Sequence, residues 1–568
     1  MKSSVLLLGL RHLRGPLITI VVVFATAIVG LVLIPGVDAD GAVWQMTFAQ
    51  ALYFMSYTAT TIGFGEIPAD FTDTQRLWVT AVIFASVLGW AYLIASVLAL
   101  ARDQAFRGAL TAAAFSRAIR GLREPFYLIC GFGETGLLVG RALDRLGLRF
   151  AVVDIDPERV QEVKLLDLAQ DAPAICADAR LPETLLAAGL ARAGCTGVLA
   201  LTNDDQANLA VAMAVRLLNP DTPVLARAMS NEVVANMASF NTDHIVNPFA
   251  RFGTYLALAL AAPSSYRLVS WLTAPTGSEF ELHLAPPRGH WVVCGYGRFG
   301  REVVAALIDE GLDASVIDPG DRPVPGLRTI RGTGTEAAPL IAAGIRDAVG
   351  IIAGTDDDLT NLSIAVTARE VNAQLFTVVR QNLQSSGPLF AAFRADVTMV
   401  SSEIIANDCL AIIKTPRLAH FLEFVREQDE AWAQRAIDRL TATVDSRVPE
   451  IWSVRLTAEA APAPHDALRA QAQGVRLEDL ARDPVDRERQ LPVLVLGLWR
   501  DGRLTPLPEQ GMALQPDDDL LYAGTLSARR AQLGVLRNAN VCSYLLTGNE
   551  RPAGWVWQAI TPGRAHRS

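Results

Sequence analysis

No two of the six cysteines in this 568-residue sequence form a Cys-x-x-Cys pair. Cys130, Cys176, Cys195, Cys294, Cys409 and Cys542 stand singly among apolar or small residues. Neither they nor the seven histidines show zinc spacing. Scattered cysteines of this kind read as reduced, buried thiols of a cytoplasmic region, not as a disulfide framework. Positive charge is short as well. The net charge is −9 and the pI is near 5.4, which argues against nucleic acid as a partner. What the sequence has in excess is apolar residues. They make up 51% of the chain, and the mean hydropathy is +0.27. That is high for a soluble enzyme and low for a chain that lives wholly in the bilayer. A small membrane part joined to a large soluble part fits both values, and the length leaves room for about three or four domains.

Residues 17–34 and 77–101 are long apolar runs, and a spanning helix needs about 20 such residues. The first run exceeds the h-region of a signal peptide, about 7–15 residues. Lys2, Arg11 and Arg14 precede the first run. Arg102, Arg107, Arg117, Arg120 and Arg123 follow the second. The loop between them carries Asp38, Asp40, Glu66, Asp70 and Asp73 with Arg76 as its one basic residue. By the positive-inside rule both termini are expected in the cytoplasm. A third apolar stretch, 43–57, is too short to cross and reads as re-entrant. Such backbone survives at membrane depth only where it is buried or lines a water-filled path.

The stretch ends in Thr58-Ala59-Thr60-Thr61-Ile62-Gly63-Phe64-Gly65-Glu66. This resembles the potassium-channel signature, whose core is Thr-Val-Gly-Tyr-Gly. A dehydrated potassium ion needs a ring of oxygens, and four extended loops can supply it from backbone carbonyls. Gly63 and Gly65 permit the unusual backbone angles this requires. The resemblance implies a filter at Thr61, Ile62, Gly63, Phe64 and Gly65, with K+ held at Thr61, Ile62, Gly63 and Phe64. Ile62 replaces valine, and Phe64 replaces a tyrosine whose hydroxyl usually ties the filter to its surroundings. Tyr57 stands where some relatives carry a buried acid. Gly89 is the one glycine in the second run, and it reads equally as a gating hinge or as a site of close helix packing. One filter per chain implies a homotetramer in a lipid bilayer.

After Glu124 short apolar runs alternate with helical patterns, the rhythm of a parallel sheet. The pattern also repeats. Gly131, Gly133, Glu134, Thr135 and Gly136 form one GxGxxG loop after an apolar strand. Gly295, Gly297, Arg298, Phe299 and Gly300 form another. The first glycine allows the tight turn, the second lets a pyrophosphate approach, and the third lets helix pack on strand. Asp154 lies eighteen residues after Gly136, and Asp318 eighteen after Gly300. An acid at about this distance binds a ribose hydroxyl. Further matches pair Asn208 with Asn361 and Arg227 with Arg380. The two copies resemble the RCK family, regulators of potassium conductance with a TrkA-like fold. The resemblance implies Rossmann-like lobes with crossover helices that dock in pairs, eight lobes to a tetrameric gating ring. Asp178, in Ala177-Asp178-Ala179, resembles the family's Gly-Asp-Ala stretch near the base. Arg298 can pair with a phosphate, whereas Glu134 would repel one, so the two sites should differ.

The expected organisation is a pore domain 1–103, a linker 104–124, a first RCK domain 125–288, a second 289–440, a TrkA-C-like lobe 441–547 and a tail 548–568. In fold class it is membrane α, with two transmembrane helices and a re-entrant pore loop, joined to two α/β Rossmann-like RCK domains and a small α+β C-terminal lobe. Residues 461–464, Ala-Pro-Ala-Pro, read as helix-poor, and Arg500-Asp501-Gly502 as a hairpin turn. Asp517, Asp518 and Asp519 read as acidic turn residues more readily than as a Ca2+ site. The function this implies is a potassium channel subunit of the inner (plasma) membrane. Its RCK domains are cytoplasmic and gated by NAD or another adenine nucleotide. NAD is favoured over NADP because the two acids would repel a 2′-phosphate. A membrane-anchored oxidoreductase and a non-conducting regulatory subunit are the alternatives; neither accounts for the filter. His244 and His290 read as packing or surface residues, and no acid–base pair suggests an enzyme.

Overall fold

The computed structural model describes residues 2–37, 41–66, 69–274, 276–279, 285–320, 323–470 and 474–548. Asp38 and Asp40 of the acidic loop, and nearly all of the expected tail, lie outside the described residues. The chain divides into two compact units. One is built almost entirely from Met1–Glu124, the other from most of the remainder.

In the first unit an outer helix covers Lys2–Leu33 and an inner helix Asp73–Arg102. Both are long and apolar enough to cross a membrane. The inner helix begins four residues before the apolar run because Thr72 and Gln75 form a capping box. The short helix between them, Phe48–Ala59, begins later than expected for the same reason. Thr47 caps it, accepting from Gln50 N at 3.3 Å while Gln50 Oε1 accepts from Thr47 N at 2.9 Å. Val43–Trp44 instead pairs antiparallel with Gly36–Val37. Outer and inner helices pack together at Gly30, where a Cβ would overlap the Trp78 indole. Trp78 Nε1 donates to the Ala27 carbonyl at 3.3 Å, and Gln75 Nε2 to that of Ile34 at 3.2 Å. Away from this seam Val21, Leu33, Leu77, Phe84 and Leu88 are exposed, an apolar surface that water would penalise. The inner helix runs unbroken through Gly89, where a Cβ would stand 3.6 Å from Ile20. The expected linker is itself a helix, Gln104–Gly121, with Asp103 as its N-cap.

The second unit holds two parallel sheets of one design. In the first, five of the six strands run in the order 149–154, 126–130, 195–200, 224–227, 244–246. In the second the order is 328–331, 314–318, 291–294, 350–353, 376–381, 397–400. In each the order reverses beside the strand that leads into the glycine loop, and that crevice is where such sheets bind ligands. The two repeats exchange helices. Pro248–Ala261, from the first, packs on Arg298–Asp309 of the second, and Ser401–Lys414, from the second, packs on Glu134–Arg145 of the first. Arg251 and Asp408 join the exchanged helices at 2.8 Å. Their side chains are mostly covered, so Asp408→Ala strands a cation with little water to solvate it. A loss of about 2 kcal/mol is expected, lowering the unfolding midpoint of the second unit by about 2–4 °C in differential scanning calorimetry.

The C-terminal lobe is a four-stranded antiparallel sheet with strands in the order 450–455, 519–524, 493–500, 503–506. Trp271, Phe421 and Ile437 of the crossover helices share one core with Leu496 and Leu521 of this sheet. Asp501 and Gly502 both have positive φ, 50° and 78°, as a two-residue hairpin turn demands. The stretch expected to be helix-poor is a helix, Pro462–Arg469. Proline is tolerated at its first turn, where an N–H is unpaired anyway. Asp518 accepts from Arg500 Nε and Nη2, at 2.8 and 2.7 Å, and Asp519 from Arg417 Nε at 2.6 Å. Five of the six thiols are buried, and burial pushes the Cys294 thiol up to about 12. Cys176 departs from expectation. It is exposed at the end of a short strand, where apolar neighbours in sequence do not cover it.

Candidate pore and ligand sites

The re-entrant segment is built around the short helix Phe48–Ala59. Its last turn takes back the amides that follow it: Thr61 N donates to Thr58 O at 3.1 Å, Ile62 N to Tyr57 O at 2.9 Å, and Gly63 N to Tyr57 O at 3.4 Å. With the N–H groups committed to that side, the carbonyls of Thr61, Ile62, Gly63 and Phe64 take no hydrogen bond among the described residues. The sign of φ alternates along the stretch. It is positive at Thr61 (62°), Gly63 (68°) and Gly65 (93°), and not at Ile62 or Phe64. In an ordinary strand successive residues face opposite sides. Turning over every second peptide is the pattern that lines one side with carbonyls. Thr61 holds its positive φ at a cost of about 1–2 kcal/mol.

Behind this stretch stands Tyr57, which is buried and donates its hydroxyl to the Gly65 carbonyl at 2.7 Å. Its ring meets Phe64 edge-on, with centroids 5.3 Å apart. Phe64 lacks a hydroxyl, and Tyr57 supplies one from the neighbouring helix. Glu66 completes the outer end, accepting from Arg76 at 2.9 and 3.1 Å and from Phe71 N at 2.7 Å. The Arg76 side chain and this backbone N–H hold the Glu66 carboxyl below its usual range.

In the second unit a cavity of about 510 Å³ lies over the first glycine loop. Gly131 has φ 97°, and a Cβ there would stand 2.7 Å from Thr202 N. A Cβ at Gly136 would overlap the Gly131 carbonyl. At Gly133 a Cβ would meet nothing within 4 Å. The first and third glycines therefore serve packing, and the second faces open space. The second loop repeats this at Gly295, Gly300 and Gly297. Asp154 accepts from Phe132 N at 2.5 Å and Asp156 N at 2.7 Å, and Asp318 from Tyr296 N at 2.7 Å and Gly320 N at 2.8 Å. Each acid thus props its glycine loop. Each carboxylate oxygen has a second lone pair for another donor.

Asn208 and Asn361, noticed as a repeat in sequence, have a common task. Asn208 Nδ2 donates to the carbonyls of Thr202 and Arg227, and Asn361 Nδ2 to those of Thr355 and Arg380. Each asparagine ties the ends of two neighbouring strands on one side of the crevice. Asp178 lines the first cavity, and Arg180 grips it at 2.7–3.0 Å and holds its carboxyl below the usual range. Glu134 begins its helix and accepts from Gln384 N of the second repeat at 2.9 Å. Arg298 begins the corresponding helix and is exposed. Phe299 is buried between the repeats against Phe249 and Phe252, so it packs and does not face a ligand. His290 packs against Ala343 O at 3.0 Å. Sequence reasoning missed that residues of the second repeat wall the first cavity, because nothing local in a sequence marks a contact across 250 positions.

The ion-channel family profile matches residues 17–103, and the TrkA-N domain profile matches residues 127–248 and 291–401. The chain belongs to the two-helix ion channels that carry TrkA-N, or RCK, domains. It is therefore a membrane protein. Potassium channel protein 1 of Methanocaldococcus jannaschii is 24% identical over 41% of this chain and 68% of its own length. Probable potassium channel protein 2 of the same organism is 25% identical over 41% of this chain and 66% of its own. An uncharacterised protein of Methanothermus fervidus is 25% identical over 45% of this chain, which spans 39% of that relative. Among solved structures, the GsuK channel bound to NAD covers 95% of this chain and all of its own, at 16% identity and a TM-score of 0.44. In this channel chain the pore profile coincides with the first unit's helices, and the two TrkA-N matches coincide with the two parallel sheets.

Proposed function

We propose that this chain is one subunit of a homotetrameric, potassium-selective channel of the inner membrane. Adenine nucleotide or NAD at its cytoplasmic RCK domains sets the pore's open probability, and the chain is not an enzyme. The observation that carries the reading is the alternation of φ at Thr61, Gly63 and Gly65 beside carbonyls that take no hydrogen bond among the described residues. Four such loops around an axis supply the oxygen rings a dehydrated potassium ion needs. In the single chain Ile62 is 61% and Phe64 62% exposed, apolar surface that neighbouring subunits would cover. Four chains with two TrkA-N domains each give a ring of eight. The basic residues flanking the two spans support a cytoplasmic position for both termini and the ring. A Rossmann-type crevice fixes a binding place but no chemistry, and the filter gives that place a gating role. A ligand shifts such a gate only by its difference in affinity between open and closed states.

Two measurements test this. Cross-linking of the purified protein should stop at four chains. Proteoliposomes loaded with potassium should take up rubidium and exclude sodium. Tyr57→Phe removes one hydrogen bond per subunit behind the filter, about 1 kcal/mol each. Its expected result is current with several-fold weaker discrimination against sodium, and unchanged unfolding of the second unit. Selectivity equal to wild type would show that Tyr57 does not brace the filter.

A further inference from the structure

The cavity over the first glycine loop is closed by both repeats. Gly133, Asp154 and Arg227 line it from the first, and Leu383, Ser401 and Ser402 from the second. Helix Ser401–Lys414 begins there with Val400 at its N-cap and no side-chain cap. Ser402 is 7% exposed, and its hydroxyl oxygen is buried without a hydrogen-bond partner among the described residues. A buried hydroxyl left unpaired is unfavourable, and a bound acceptor or donor would satisfy it. The free N–H groups of the same first turn favour an anion. The helix start nearest the first glycine loop is different. Glu134 already stands there, fixed by Gln384 N at 2.9 Å. Arg227 is drawn inward enough that burial pulls its guanidinium below the ordinary range, with Arg298 and Arg380 adding to this and Asp205 opposing it. The lining thus offers carboxylates at Asp154 and Asp178 and donors at Arg227 and Ser402.

We infer that the first cavity takes an adenine nucleotide whose diphosphate crosses from the first repeat to the second. The ribose lies at Asp154, and the anionic end lies on Ser402 Oγ and the first amides of Ser401–Lys414. This rests on the nucleotide reading above and deepens it. It makes the ligand a tie between repeats, and it makes Ser402 a determinant of the phosphate count the site prefers. A free nucleoside diphosphate and a dinucleotide present the same diphosphate.

The test is calorimetric titration of the full-length chain in detergent with adenosine, AMP, ADP and NAD, in an Asp318→Asn background that weakens the second site. Ser402→Ala should weaken ADP about tenfold and change adenosine less than twofold, and Ser402→Thr should restore the ADP value. Equal weakening of NAD assigns the bridging diphosphate, and weakening of ADP alone assigns a terminal phosphate. If ADP binds, is lost in Asp154→Asn and is indifferent to Ser402→Ala, the crossing is wrong while the nucleotide reading stands. If none of the four compounds binds the Asp318→Asn chain, both are wrong at this site.

Discussion

Replacing Gly65 with alanine is expected to abolish potassium flux through the reconstituted channel and leave nucleotide binding unchanged. The reason is conformational. An added Cβ at Gly65 would meet nothing within 4 Å in the single chain, so steric overlap is not the cause. Its φ of 93° lies in the region an L-residue rarely adopts, at a cost of about 1–2 kcal/mol or more. In a tetramer the cost is repeated four times around one axis. The cheapest escape is a peptide flip, which turns a carbonyl away from the ion path and breaks the Tyr57–Gly65 hydrogen bond. Gly63→Ala, at φ 68°, should behave the same way. Rubidium uptake by proteoliposomes reads the first effect, and nucleotide titration of the same preparation reads the second. Flux at the wild-type rate would show that this stretch is not the filter.

The second large effect separates two glycines three residues apart in the second loop. A Cβ at Gly300 would overlap the Gly295 carbonyl, which is backbone and cannot move without pushing helix Arg298–Asp309 off its strand. Gly300→Ala should destabilise the second repeat by about 3 kcal/mol. Gly297 is the N-cap of that helix, with φ −74° and nothing within 4 Å of an added Cβ. Gly297→Ala should change stability by under about 1 kcal/mol. If a pyrophosphate passes over this loop, Gly297→Ala puts a methyl group in its way, and nucleotide affinity falls about tenfold or more at unchanged fold. Calorimetry separates the two variants by unfolding midpoint, and titration separates them by affinity. Equal affinity of Gly297→Ala and wild type would mean that the second loop keeps its fold without a ligand.

Much of this architecture can be read from the chain because its signals are local. The two apolar runs, the Thr-Thr-Ile-Gly-Phe-Gly stretch and the two GxGxxG loops each declare themselves within about thirty residues. The element ends that differ do so through capping. Thr47 and Thr72 set helix starts by reciprocal bonds with Gln50 and Gln75, and an apolar count does not register these. The helix at Pro462–Arg469 was hidden by prolines that sit in its first turns. Asp154 and Asp318 stand where the spacing put them, but each also holds its own glycine loop through backbone amides. Loss of nucleotide binding on mutating either acid would therefore mix a missing ribose contact with a loosened loop. Contacts between repeats stayed out of reach. Glu134 looks like a phosphate repellent in sequence, yet in the fold it is bonded to Gln384, 250 positions away. Tyr57 looks like a departure from a buried acid, yet it supplies the hydroxyl that Phe64 lacks.

The most direct test of the account is single-channel recording of the purified chain in planar bilayers, with potassium on one side and sodium on the other, while ADP or NAD is titrated on the RCK side. The account predicts a current that reverses near the potassium equilibrium potential, with an open probability that follows nucleotide concentration. A current that does not discriminate potassium from sodium, or no current from a tetrameric, nucleotide-binding preparation, would contradict it.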